Sequence, residues 1–195
     1  MSDVPVVPRP AATIVLLRRG GKHAERGVEV LMVRRSLEAA FMPGVWVFPG
    51  GALEPEEEPR ECAIRELAEE TSIELSADAE LLAWSRWITP EVVPVRFDTL
   101  FFVALAPAHT PPRPDGGETI DAAWFAPRAA LDAHAAGEIE LVFPTRKTLE
   151  SLLGHGTSAE VIAAAGAKEV DPILPRVIGT REDHRIVLPG EPDYD

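Results

Sequence analysis

Glu66, Glu69 and Glu70 are three carboxylates within five residues, inside the stretch Phe48 to Ile73 that reads FPGGALEPEEEPRECAIRELAEETSI. At about 100° per residue a helix places all three within an arc of roughly 100°. Like charges crowded on one helical face repel each other. A cation among them removes that cost. Hard divalent cations take oxygen ligands, and Mg²⁺ in particular binds through a few carboxylates plus substrate phosphates. The chemistry such a face offers is the binding of a divalent cation together with a phosphate-bearing ligand. By composition alone, a solvated acidic face is the competing reading.

Positioning these groups requires a helix with a defined start and an opposite apolar side. Pro59 or Arg60 to Thr71 is predicted as that helix. Pro59 suits a first turn, where its missing N–H costs nothing, and Glu56, Glu57 and Glu58 lie near the positive end of the macrodipole. Ile64, Leu67 and Ala68 point away from the acids and are expected to pack on a sheet. Just upstream, Pro49-Gly50-Gly51 makes a turn.

The spacing is specific. Gly51 is followed after five residues by Glu57, and after seven more by Arg65-Glu66, then Leu67, Glu69-Glu70 and Ile73. This resembles the signature of the Nudix hydrolases, G-x5-E-x7-R-E-U-x-E-E-x-G-U with U aliphatic. One position departs: Ser72 stands where the signature has its second glycine. That residue follows the helix, where positive φ is favoured, and Ser adopts it at modest cost.

The resemblance implies the Nudix fold, an α/β/α sandwich with a mixed central sheet. It also implies a Mg²⁺- or Mn²⁺-dependent enzyme that hydrolyses a nucleoside diphosphate linked to another group. On this reading Glu66, Glu69 and Glu70 supply the metal face, and the Gly50 or Gly51 carbonyl supplies another oxygen. Arg65 orients the carboxylates, Glu57 above all, through a bidentate bridge. Glu57 then stands behind the ligands or reaches the metal through water. The catalytic base lies outside the signature in many relatives. Glu118, closing the loop before Trp124, is the candidate here; Asp115 and Asp121 compete, and Glu66 is the base in some relatives.

Upstream, Leu31, Arg35, Ser36, Gly44 and Phe48-Pro49-Gly50-Gly51 are similar to a pattern of the coenzyme A diphosphatases. Val33 and Ala40 depart from it, Ala40 replacing an arginine. The wider run is similar to the subgroup of the mammalian peroxisomal type-19 Nudix enzyme. CoA or an acyl-CoA is therefore the expected substrate, with ADP-ribose, NADH or a nucleotide sugar as rivals. A non-catalytic nucleotide-binding regulator is a further alternative, although this chain keeps every glutamate of the signature. Arg35, Arg86 and Arg96 are candidate phosphate contacts, Arg96 pairing with Asp98 as the alternative. Trp84, Trp87 and Trp124 are candidates for stacking an adenine, with packing as the alternative.

Composition sets limits. The chain has 195 residues, 46% hydrophobic, which is enough for one domain: an arm over residues 1–10, then a single unit over 11–195 with late helices and a tail. A net charge of −13 argues against nucleic acid as a partner. No apolar run is long enough to span a membrane. The first residues lack the pattern of a signal peptide, so a cytoplasmic location is expected. The single cysteine, Cys62, is read as a packing residue. Relatives in the resembled family are often dimers, which leaves room for a homodimer here.

Around the acidic helix, strands are expected over Ala11 to Arg18, Val28 to Arg35, Val45 to Phe48, Ala79 to Ile88, Pro94 to Leu105 and Asp121 to Phe125. The first two form a hairpin through a turn at Gly20–Gly27. Ala106–Gly117 is a long Pro/Gly-rich loop, expected to be mobile until substrate orders it. Helices are expected over Pro127–Ala136, Pro144–Leu153 and Ser158–Ala165, then a strand-like run, RIVL, in the tail.

Overall fold

The apolar run near the start of the chain becomes the middle of the sheet. β1 (Arg9–Arg19) sends Val15 and Leu17 into one core and Ala12, Ile14 and Leu16 into the other. A strand buried on both faces reads as a continuous apolar stretch. The computed structural model describes residues 6–19, 27–108, 111–180 and 183–194.

β1 pairs antiparallel with β2 (Val28–Arg35), giving the expected hairpin. Its turn at Gly20–Gly27 lies outside the described residues apart from Gly27. β3 (Trp46–Val47) continues the sheet beyond β2. β4 (Gly50–Ala52) pairs antiparallel with β1, Thr13 opposite Gly50 and Ala12 opposite Gly51. The Pro-Gly-Gly turn of the sequence is thus a short strand. Glycine reads as a breaker, yet here it is what lets two backbones approach.

α1 (Pro59–Thr71) starts where Glu58, extended at φ −81° and ψ 148°, gives way to Pro59, and the Glu61 carboxylate accepts the Glu58 N–H at 3.2 Å. It ends at Ser72, which is left-handed at φ 57° and donates its N–H to Ala68 O at 2.9 Å. The helix packs through Cys62, Ala63 and Leu67, while Ile64 and Ala68 are only half-buried, so the apolar face sits slightly round from the one expected. Burial pushes the Cys62 thiol up to about 12, which suits packing and not nucleophilic chemistry.

β5 (Leu82–Ile88) and β6 (Phe97–Leu105) form an antiparallel pair, and β6 runs parallel to β1 over nine residue pairs. Both strands start three residues later than the sequence indicated. β7 (Thr119–Phe125) pairs with β2 and starts two residues earlier than expected, which brings Thr119 into the strand. α2 (Pro127–Ala135), α3 (Phe143–Leu152) and α4 (Ser158–Gly166) follow. They cover the first core through Ala130, Leu149, Leu152, Val161 and Ala165, while α1 covers the second. The mixed sheet between these layers makes the α/β/α sandwich that was expected.

The tail adds β8 (Pro172–Ile173), parallel to β5, and then a separate hairpin of β9 (Arg176–Gly179) and β10 (His184–Val187). At the other end the expected arm is shorter by two residues, since Arg9 and Pro10 belong to β1; residues 1–5 lie outside the described residues. No helix among the described residues is long and apolar enough to cross a membrane.

Candidate functional site

The site is built where β4 crosses the flank of α1. The Gly50 N–H donates to Glu70 Oε2 at 3.1 Å. A Cβ on residue 50 would overlap the Ala12 carbonyl and Thr13, and one on residue 51 would overlap the Glu66 carboxylate. Two adjacent glycines therefore let the strand edge lie directly against two glutamates one helical turn apart.

Arg65 organises the neighbouring acids. Its Nε and Nη2 grip both oxygens of Glu57 at 2.8 and 3.0 Å, and its Nη1 donates to Glu66 Oε1 at 2.8 Å and Glu69 Oε2 at 3.0 Å. The Glu57 carboxylate is held down to about 2, chiefly by this bond. Glu57 Oε2 also accepts the Glu54 N–H at 2.9 Å, so both its oxygens are engaged by the protein. Glu69 is 60% exposed, tied to Arg65, and does not line the cleft described below.

Glu66 and Glu70 are different. Burial raises both carboxyls above the ordinary value, Glu70 to about 8. The Glu70 residue is 4% exposed. Each is raised further by the other carboxylates: Glu69 and Glu118 act on Glu66, and Glu66 and Glu118 act on Glu70. The Gly50 N–H and the Arg35 charge oppose the shift at Glu70. Glu66, Glu70, Glu118 and Arg35, taken from two separate elements and a loop, thus share one electrostatic neighbourhood.

Glu118 owes its place to its neighbours. The Thr119 hydroxyl lies 3.0 Å from the Glu70 carbonyl and 2.6 Å from Asp115 Oδ1. Asp115 also accepts the N–H groups of Gly117, Glu118 and Thr119. Burial alone would raise the Asp115 carboxyl, but these bonds hold it below its usual range. Asp115 is thereby committed to shaping the loop. Asp121 accepts the N–H of Ala122 at 2.8 Å on the exposed strand surface. The Glu118 carbonyl accepts the Ser36 N–H at 2.7 Å, and the Arg113 N–H donates to Thr71 O at 2.7 Å. The long loop, expected to be mobile, is in this way pinned at both of these points to the site's own elements; its residues 109 and 110 lie outside the described residues.

A cleft of about 830 Å³ opens at this point. Arg65, Glu66, Glu118 and Arg35 line its polar end, while Trp87 and Phe143 lie along its apolar end. Its floor is the β1 and β6 face that carries Thr13 and Phe101 and continues into the first core.

The family model for the NUDIX domain matches residues 7–143, which spans β1 to β7, α1 and the Glu118 loop. The chain belongs to the Nudix family. A NUDIX hydrolase from Alicyclobacillus acidocaldarius has a similar structure, with a TM-score of 0.71 at 27% identity over 80% of this chain and 96% of that one. The putative nudix hydrolase 7 of Caenorhabditis elegans is 27% identical over 175 residues, 70% of this chain and 57% of its own length. The human diphosphoinositol polyphosphate phosphohydrolase 3-alpha is 45% identical over 51 residues, 26% of this chain and 29% of its own. The chain thus spans less than two thirds of these curated relatives.

Nudix hydrolases generally use divalent metals such as Mg²⁺ or Mn²⁺. The donor chemistry here fits such an ion: Glu66 and Glu70 are oxygen donors whose ionised forms burial disfavours, and a cation offsets that cost. As the side chains stand, no three acids, histidines or cysteines converge on one point among the described residues, and Arg65 holds Glu57, Glu66 and Glu69.

Two of the three candidate phosphate contacts lie elsewhere. Arg86 is bound to Asp98 by two bonds of 2.8 and 2.7 Å on the outer strands. Arg96, for which pairing with Asp98 was the alternative to a phosphate contact, is 5% exposed and donates to the carbonyls of Thr89 and Val6 at 3.0 and 2.6 Å, fastening the arm. Neither lines the cleft, whereas Arg35 does. Trp84 is buried and donates to Ser151 Oγ at 3.0 Å, and Trp124 lies under the Arg18 guanidinium, so both pack. Trp87 packs and also borders the cleft.

Sequence reasoning missed part of the Nudix cleft. Phe143, Val177, His184 and Ile186 line it, and the last three come from the tail hairpin beyond the matched domain. Alternating apolar residues at the end of a chain gave no local signal of what they would face.

Proposed function

We propose that the protein is a divalent-metal-dependent diphosphatase acting on a nucleoside diphosphate linked to a second group, with CoA or an acyl-CoA as the substrate. The observation that carries this reading is a cleft lined both by Glu66, whose ionised form burial disfavours, with Glu118, and by apolar residues such as Trp87 and Phe143. A volume of about 830 Å³ lies in the upper part of the ~300–1,000 Å³ range of small-molecule sites, which leaves room beyond a diphosphate. The upstream residues Leu31, Arg35, Ser36 and Gly44 favour CoA among the diphosphates.

Glu66, Glu69, Glu70 and a Gly50 or Gly51 carbonyl would hold Mg²⁺ or Mn²⁺, which when bound would supply charge neutralisation at the diphosphate and lower the pKa of water there. The protein's own groups do the rest. Arg65 keeps Glu57 and Glu66 in fixed orientation by its fork of hydrogen bonds. Arg35 offers a positive charge to phosphate at the cleft wall. Glu118 is the general base, receiving a proton from the attacking water; it lines the cleft and its backbone is fixed on both sides. The diphosphate bridge breaks and the second phosphate leaves.

Purified protein with Mg²⁺ or Mn²⁺, offered CoA, acetyl-CoA, ADP-ribose and NADH, tests this. Product masses of 3',5'-ADP and 4'-phosphopantetheine, with a clear preference for the CoA compounds, support the reading. Preference for ADP-ribose or NADH transfers the assignment to those dinucleotides.

A further inference from the structure

We propose that the tail hairpin β9–β10 is the substrate-selecting wall of the cleft, where Val177 and Ile186 take an acyl or alkyl portion of the group attached to the diphosphate. This rests on the reading that the diphosphate binds at the Glu66–Glu118 end.

Three observations carry it. First, Val177 and Ile186 are register partners in the hairpin, so their side chains stand together on one face, and both line the cleft. Both are half-buried, which leaves apolar surface for a ligand to cover. Second, the hairpin turns its other face inward and is braced within the tail. Val187, on the opposite face from Ile186, is 2% exposed, and the next residue, Leu188, packs on the first core. Tyr194 donates its hydroxyl to Leu174 O at 2.8 Å, and Arg176 lies over the Tyr194 ring. Third, the neighbouring part of the cleft is apolar as well: Trp87 and Phe143 meet edge to face with centroids 5.9 Å apart. Among the cleft-lining hairpin residues only His184 can hydrogen-bond through its side chain. A wall so poor in donors and acceptors does not suit a second nucleotide or a sugar, whose polar groups would lose water without repayment. It suits a hydrocarbon chain. The hairpin also lies outside residues 7–143, so it is an addition to the family domain and a place where selectivity can differ between relatives.

The test compares CoA, acetyl-CoA and octanoyl-CoA on the wild type, Ile186→Ser and Ile186→Leu. In Ile186→Ser the KM for octanoyl-CoA is expected to rise about tenfold at unchanged kcat, the KM for CoA moving less than about twofold, because a lost apolar contact is worth about that much discrimination. Ile186→Leu restores the octanoyl preference. Equal changes for all three compounds, or none, overturn the proposal. If no CoA compound is cleaved, the functional reading fails and a dansyl-labelled undecanoate decides the hairpin separately. Saturable fluorescence that weakens about tenfold in Ile186→Ser supports the wall; equal or unsaturable binding overturns it. A change from dimer to monomer in Ile186→Ser, seen by sedimentation, assigns the face to a subunit contact and also overturns it.

Discussion

Gly51 and Glu66 occupy one another's space: the strand residue has no side chain, and the helix carboxylate fills the volume that one would take. Gly51→Ala is therefore expected to push Glu66 off its position without disturbing the cores. A misplacement of about 1 Å costs about 100-fold in turnover. Steady-state kinetics should show that loss while the thermal midpoint stays within a few degrees.

Arg65 holds three carboxylates at once. Arg65→Lys keeps the charge and loses the fork, so Glu57 and Glu66 are no longer held together. Metal affinity, read by titration, is expected to fall about 10- to 100-fold, the usual cost of losing a group that orients ligands. Affinity within twofold of wild type would remove Arg65 from the positioning role.

Glu70 titrates at about 8 in the folded protein, against an ordinary 4.5. Between those values the folded chain keeps a proton that the unfolded chain has released. Without metal, stability should fall as pH rises across that window and level off above it. Glu70→Gln should flatten this part of the curve and abolish most turnover. Glu57 acts in the opposite sense: at about 2 against 4.5, it adds stability above pH 4.5 that is lost as pH falls toward 2. Thermal melts in chelator from pH 2 to pH 9 read both effects.

Glu118 and Asp115 sit three residues apart and should separate cleanly. Glu118→Gln is expected to lower kcat by about 10²- to 10⁴-fold with the melt unchanged, as removal of a general base does. Asp115→Ala releases several N–H groups and the Thr119 hydroxyl, so it should cost stability on the order of 1–3 kcal/mol. The reverse pattern would make Asp115 the base.

Ser72 carries positive φ at the end of α1. Ser72→Gly relieves that conformation and is expected to stabilise by roughly 0.5–1 kcal/mol with activity unchanged. Chemical denaturation would show a higher midpoint at the same slope.

The acidic helix was legible because its information is local. Pro59, Arg65, Glu66, Glu69 and Glu70 lie within one short stretch, and helical geometry alone puts Arg65 and the three glutamates side by side. The left-handed Ser72 followed from the same spacing. The strand at Gly50–Ala52 was not legible, because glycine signals a turn until a partner strand is known. The partners of Arg86 and Arg96 were not legible for a related reason: which arginine meets Asp98 depends on the β5–β6 register, which sets Ile88 opposite Asp98 and Arg86 diagonal to it.

The sequence by itself determined the family, the α/β/α class and the carboxylates that face one another across a helical turn, since spacing along a helix is fixed by backbone geometry. Only the tertiary structure decided which distant groups join them. It brought Arg35 and Glu118 to Glu70, committed Asp115 to its own loop, and made the tail hairpin part of the lining of the same cleft. Those outcomes depend on strand register and on which faces two separate cores bury, and neither is written in any one segment of the chain.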